Sequence, residues 1–160
     1  MTPEQEIIED LLKQVSALRG SIPDTLAVIG SIPADLAAFE ALSTVPRIGT
    51  TAMSKQFEQL EDSLASLFRA VLKALGQQLK GLYALDVGHH MVALGVLDDA
   101  DTWLSVVKLR NQLVHEYSVA PARQLDRLRQ AHAALPFLLD AAQRVETLIE
   151  RRALLVRSAT

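Results

Sequence analysis

Apolar residues recur along this chain at intervals of three and four, the period of one face of an α-helix. Ile7, Ile8, Leu11, Leu12, Val15 and Leu18 form the first stripe and predict an amphipathic helix over residues 4–18, ended by Gly20. A short echo follows, GSIPDTLA at 20–27 and GSIPADLA at 30–37, each copy reading as a capped helix start. Two copies ten residues apart are too few and too short for a solenoid. STVPRIGT at 43–50 reads as a linker. The next stripe is long: Phe57, Leu60, Leu64, Leu67, Phe68, Val71, Leu72 and Leu75, apolar to about Leu79. A further helix is expected over about 84–95.

Acids at 98, 99 and 101 then mark a helix start, where they face the positive end of the helix dipole. Trp103, Val106, Val107, Leu109, Leu113 and Val114 carry that helix to about Tyr117. The segment Ser118 to Pro121 breaks it. A last helix is expected from near Pro121 to about Leu155, with a kink at Pro136. No segment alternates with a period of two. The pattern predicts an all-α protein, an antiparallel helical bundle over 51–157 with a helical N-terminal extension over 1–46.

Composition agrees with that reading. At 160 residues the chain is expected to form one domain with a small appendage, and 49% hydrophobic content gives it a real core. Aromatics make up 4%, so the core is aliphatic. With no cysteine, disulfides, thiolate zinc sites and a cysteine nucleophile are excluded, which fits a cytoplasmic protein. No apolar run approaches the ~20 residues of a membrane span, and the N-terminus is acidic where a signal peptide is basic. The net charge of −3 argues against a general nucleic-acid coat. Its distribution is uneven. Residues 1–100 hold seven Lys/Arg against thirteen Asp/Glu, while 101–160 hold nine against six. A polyanion is expected to meet the C-terminal part, if those arginines are more than a solvated helix face.

The densest candidate chemistry is LRNQLVHEY at 109–117. Arg110, Asn111, His115 and Tyr117 cluster near the end of an otherwise apolar helix. At about 100° per residue, Asn111 and His115 lie about 40° apart and Arg110 and Tyr117 about 20° apart. A histidine serves as general base on a ribose 2′-OH near neutral pH, and an arginine holds the phosphate and stabilises transition-state charge. The substrate carries its own nucleophile, so no metal or other cofactor is expected. The leaving 5′-oxygen also needs a proton, which a two-fold dimer supplies through a second histidine. Read from spacing alone, the same residues also fit a helix end making surface and capping bonds.

LRNQLVHEY resembles the R-x4-6-H signature of HEPN domains, in the R-x4-H-x-Y form of HepT-like proteins. The stretch before it, MVALGVLDDADTWLSVVK, is similar to the nucleotidyltransferase substrate-binding proteins of the same superfamily. The similarity spans about residues 55–155. It implies a helical-bundle homodimer paired with a minimal nucleotidyltransferase. It implies Arg110 and His115 as catalytic residues of metal-independent RNA cleavage in a toxin–antitoxin pair, supported by Asn111. It also implies Tyr117 as the residue that the cognate nucleotidyltransferase antitoxin adenylylates. The first fifty residues lie outside the family pattern. The alternative is a non-catalytic subunit that binds the transferase. A purely structural helical dimer is a third class.

Other clusters are weaker. Asp86 and His90, at i and i+4 beside His89, give two ligand types but no third ligand. Asp98, Asp99 and Asp101 fit a helix N-terminus at least as well as a cation site. No glycine-rich phosphate loop, serine elbow or zinc motif occurs. No series of base-stacking aromatics occurs either, so RNA recognition is expected to rest on phosphate contacts and RNA shape.

Overall fold

The computed structural model describes residues 1–115 and 120–155, and within them the chain is all-helical. Its elements are α1 (Pro3–Ile29), α2 (Leu36–Glu40), α3 (Thr44–Ala74), α4 (Ala84–Ala93), α5 (Ala100–His115) and α6 (Pro121–Arg151). Four long helices make the bundle and α2 and α4 fill its corners. Side-chain contacts fix the directions. Glu4 meets Lys73, Gln14 meets Ser63 and Ser21 meets Gln56, so α1 and α3 run antiparallel. Arg110 meets Glu61 and Phe68 meets Trp103, so α5 also runs against α3. Arg144 of α6 pairs with Asp98 just before α5, and Arg19 of α1 pairs with Glu146.

The first helix departs from the sequence expectation. It runs through Gly20 and Pro23 to Ile29, where Gly30 ends it with φ of 75°. Thr2 and Gln5 cap its start reciprocally. Ile8, Val15, Ile22 and Ile29 are all buried, a strict seven-residue repeat of the kind that keeps one seam against a neighbouring helix. Burying Ile22 and Ile29 outweighs the helix-breaking tendency of Gly20 and Pro23. The two GSIP copies therefore have different structures. The first is helical, while the second forms the turn into α2, whose start is capped by Asp35 accepting from the Ala38 N–H.

Residues 43–50 are not a linker. They open α3, with Pro46 in the first turn where a missing N–H costs nothing. At Gly49 the chains crowd: a β-carbon there would lie 2.8 Å from Ile29 Cγ1. The expected boundary between 46 and 51 thus falls inside a helix, and the stripe of α1 packs in the same core as Phe57, Leu64, Trp103, Leu138 and Val145. At its far end α3 stops at Ala74 rather than near Leu79, because Gly76 turns the chain with φ of 89° and the Gln77 N–H closes on the Leu72 carbonyl. α6 passes Pro136 and ends at Arg151, short of Leu155. Among the described residues no helix is long and apolar enough to cross a membrane.

Candidate functional site

Asp99 sets the start of α5. Its carboxylate accepts from the N–H groups of Asp101 and Thr102 and from the Thr102 hydroxyl, at 3.3, 3.1 and 2.6 Å. Those bonds to Thr102, foremost the one from its hydroxyl, hold the Asp99 carboxyl below its ordinary range. Asp98 is taken by Arg144 at 2.7 Å. Asp86, in the first turn of α4, reaches back to accept from the N–H of its cap residue Tyr83 at 2.8 Å. The acids that resembled cation ligands are helix-start and ion-pair groups. Among the described residues no three His, Asp or Glu side chains come together as a metal cage.

From that start α5 buries Trp103, Val106 and Leu109. Trp103 stacks at a tilt on Phe68, with ring centroids 4.9 Å apart, and its Cδ1 edge would touch a β-carbon at Gly88 of α4. Arg110 lies two turns further on, on the same side of α5. Its side chain crosses to α3, where Nη2 meets Asp62 Oδ1 at 3.2 Å and Nε lies 3.4 Å from Glu61 Oε2. Nη1 meets Asn111 Oδ1 at 3.4 Å. The Glu61 side chain is 4% exposed and that of Asp62 is 64% exposed, so one partner is core and the other is rim. Burial pushes the Glu61 carboxyl up to about 7. Arg110 pulls it back down in part, and Asp62 adds to the rise.

Of the four residues singled out in the sequence, the structure joins Arg110 to Asn111. Asn111 and His115 are both exposed. His115 is the last residue of α5 and stands about 140° around the helix from Arg110. Among the described residues no hydrogen bond or ion pair links it to Arg110. Within one chain, then, the arginine and the histidine present different directions. Tyr117 lies outside the described residues.

The sequence reading missed Glu61, Asp62 and Arg69. These α3 residues, with Ala65 between them, face α5 across a cavity of about 200 Å3, closed on the third side by Ala84 and Val87 of α4. Glu61 had left a signal: an acid one turn after Phe57 and three residues before Leu64, inside the apolar stripe. A second cavity of about 240 Å3 adjoins the first through Asp62 and Arg110 and continues past Leu113 to Glu58 and Lys55. The wall of α5 that carries Arg110 therefore overlooks a cleft running along α3. Compared with protein-family models, with curated proteins and with solved structures, the chain finds no match.

Proposed function

We propose that this protein is a metal-independent endoribonuclease of the HEPN type, the toxin of a toxin–antitoxin pair, acting as a homodimer. The observation that carries the reading is the R-x4-H-x-Y motif, with Arg110 and Asn111 at an open cleft and His115 exposed at the end of the same helix. In the reaction His115 removes the proton of a ribose 2′-OH. The resulting oxygen attacks the adjacent phosphorus, and the bond from phosphorus to the 5′-oxygen breaks. Arg110 carries the charge that builds on the phosphoryl oxygens. The products are a 2′,3′-cyclic phosphate and a 5′-hydroxyl. The 5′-oxygen takes its proton from the histidine of the second copy. A two-fold site also answers the divergence of Arg110 and His115 within one chain, because the arginine of one copy then serves beside the histidine of the other. Adenylylation of Tyr117 by a cognate nucleotidyltransferase blocks this site.

The second reading is a non-catalytic subunit that docks a nucleotidyltransferase. It is favoured by the engagement of Arg110 with Glu61 and Asp62, carboxylates that compete with a phosphate for its guanidinium. The test is RNA cleavage by the purified chain in EDTA, with end-group analysis of the products. Cleavage leaving cyclic phosphate, lost in both Arg110→Ala and His115→Ala, supports the nuclease. A wild-type chain that neither cuts RNA nor slows growth on overexpression refutes it.

A further inference from the structure

We propose that the cleft between α3, α4 and α5 is a nucleobase pocket, in which Trp103 Nε1–H donates to a ring acceptor of the base and the Glu61 carboxyl pairs with an adjacent base N–H. This deepens the reading above and rests on it for the choice of a nucleobase among planar heteroaromatic rings.

Three observations converge. First, the indole nitrogen of Trp103 is buried and has no hydrogen-bond partner among the described residues. Trp103 itself is 1% exposed and lines the cavity. A buried donor without a partner is costly, so the site asks for an acceptor. Arg110 Nε is in the same condition, near Glu61 yet without hydrogen-bond geometry to it. Second, Glu61 is a buried acid lining the same cavity, held partly neutral by desolvation. In its ionised form it accepts from an N–H, and in its acid form it donates to an oxygen. Third, the rest of the lining is small and apolar, Ala65, Ala84, Val87 and Val107, apart from Asp62, from Asn111 and from Arg69, which donates to the Leu82 carbonyl. A pocket with short apolar walls and a few convergent polar groups takes a flat ring rather than a branched or hydrated ligand. Every nucleobase carries an acceptor beside an N–H on one edge, which matches a donor-only indole and a carboxyl lining one cavity. Asn111 and Arg110 line the same cavity, so a base seated there would bring its phosphate within reach of the arginine that the proposed chemistry needs.

Trp103 is the only tryptophan in the chain, so a single indole N–H resonance reports on the pocket. The experiment titrates the 15N-labelled protein with each of the four ribonucleoside monophosphates, with ribose 5-phosphate as a probe lacking the base. It is repeated on Ala65→Leu and Ala84→Leu, which fill the cleft from two different helices. The expected result is a saturable shift of the indole signal with at least one monophosphate, no shift with ribose 5-phosphate, and at least tenfold weaker binding in whichever variant keeps the wild-type spectrum. A short oligoribonucleotide binding more tightly than its monophosphate identifies the RNA chain as the source of the base. The reverse identifies a free nucleotide. An indole signal unmoved by every monophosphate means that the cavity holds only water, and overturns the proposal. An equal response to ribose 5-phosphate overturns it in favour of an anion site at Arg110. RNA cleavage is measured on the same samples: cutting without an indole shift sinks the pocket alone, and an indole shift without cutting sinks the nuclease reading alone.

Discussion

Arg110 and Glu61 face each other with Nε 3.4 Å from Oε2, and Glu61 is the more deeply buried of the two. A buried carboxylate needs a cation and hydrogen bonds to offset the loss of water, and this one has the cation at less than ideal geometry. Its pKa therefore rises to about 7 from 4.5, with burial as the main cause. A folded-state value above the unfolded one means that the native state binds more protons between pH 4.5 and 7. Stability from this group is whole below pH 4.5 and is lost as pH rises through 7, by about 3 kcal/mol for the full interval. Glu61→Gln removes the titration. Denaturant unfolding across pH 4.5–8 is expected to show the variant gaining on the wild type as pH rises. Parallel pH profiles for the two proteins would mean that Glu61 titrates normally.

Asp62 is the solvent-exposed partner of Arg110, and its contribution is correspondingly small. An exposed ion pair is worth about 0–1 kcal/mol. Asp62→Asn is expected to leave the unfolding midpoint nearly unchanged while releasing Nη2 of Arg110. If Arg110 binds phosphate, RNA affinity at low salt rises several-fold in this variant, and the gain disappears as salt is raised. Binding that is unchanged at low salt would leave Arg110 outside the RNA contact.

α1 is built into the bundle through Ile8, Val15, Ile22 and Ile29, all buried against its neighbours. Truncating one of them leaves a cavity, so Ile22→Ala is expected to cost about 2–4 kcal/mol. Removing residues 1–42 strips α1 from the core it shares with Met53, Leu60, Leu64 and Leu67 of α3, and the shortened chain is expected to aggregate or unfold. A monomeric, cooperatively melting fragment from residue 43 onward would show that α1 is dispensable.

Two glycines in long helices are expected to respond in opposite directions to the same change. Gly20 has open space where a β-carbon would stand, so Gly20→Ala gains about 0.5–1 kcal/mol from helix propensity. At Gly49 the added carbon would meet Ile29 at 2.8 Å and Val28 at 3.3 Å. Gly49→Ala is expected to lose about 1–2 kcal/mol, as overpacking exceeds the propensity gain. Thermal melts of both variants check this, and equal signs would mean that α1 and α3 separate more readily than their packing implies.

The sequence carried the fold class because core stripes persist at helical spacing over many turns, as from Phe57 to Leu72. It misplaced the ends of α1 and α3 because local breakers were weighed without the packing that overrides them. Gly20 and Pro23 sit inside a helix held by Ile22 and Ile29, while Pro46 belongs to a first turn rather than a linker. Along α5 the pairing of Arg110 with Asn111 was legible because the two are adjacent, whereas His115, close in sequence, stands about 140° around the helix from Arg110. The other wall of the site was not legible. Glu61 lies 49 residues before Arg110 and Arg69 lies 34 before Trp103, and only the antiparallel register of α3 and α5 brings them opposite.

Tyr117 is two residues beyond His115 in sequence. An added nucleotide monophosphate on its hydroxyl would place bulk and negative charge close to His115. On the function proposed above, the phosphate would compete with RNA for Arg110 and the bulk would obstruct a site shared between two copies. Tyr117→Phe lacks the hydroxyl that accepts the group and keeps the ring. It is therefore expected to retain RNA cleavage within about twofold and to escape neutralisation by a cognate transferase supplied with ATP. Intact-mass measurement is expected to show adenylate additions on the wild type and none on the variant. Additions that persist on Tyr117→Phe would place the modification elsewhere. Neutralisation of Tyr117→Phe without any added mass would mean that the antitoxin acts by docking, which is the behaviour the transferase-binding reading requires.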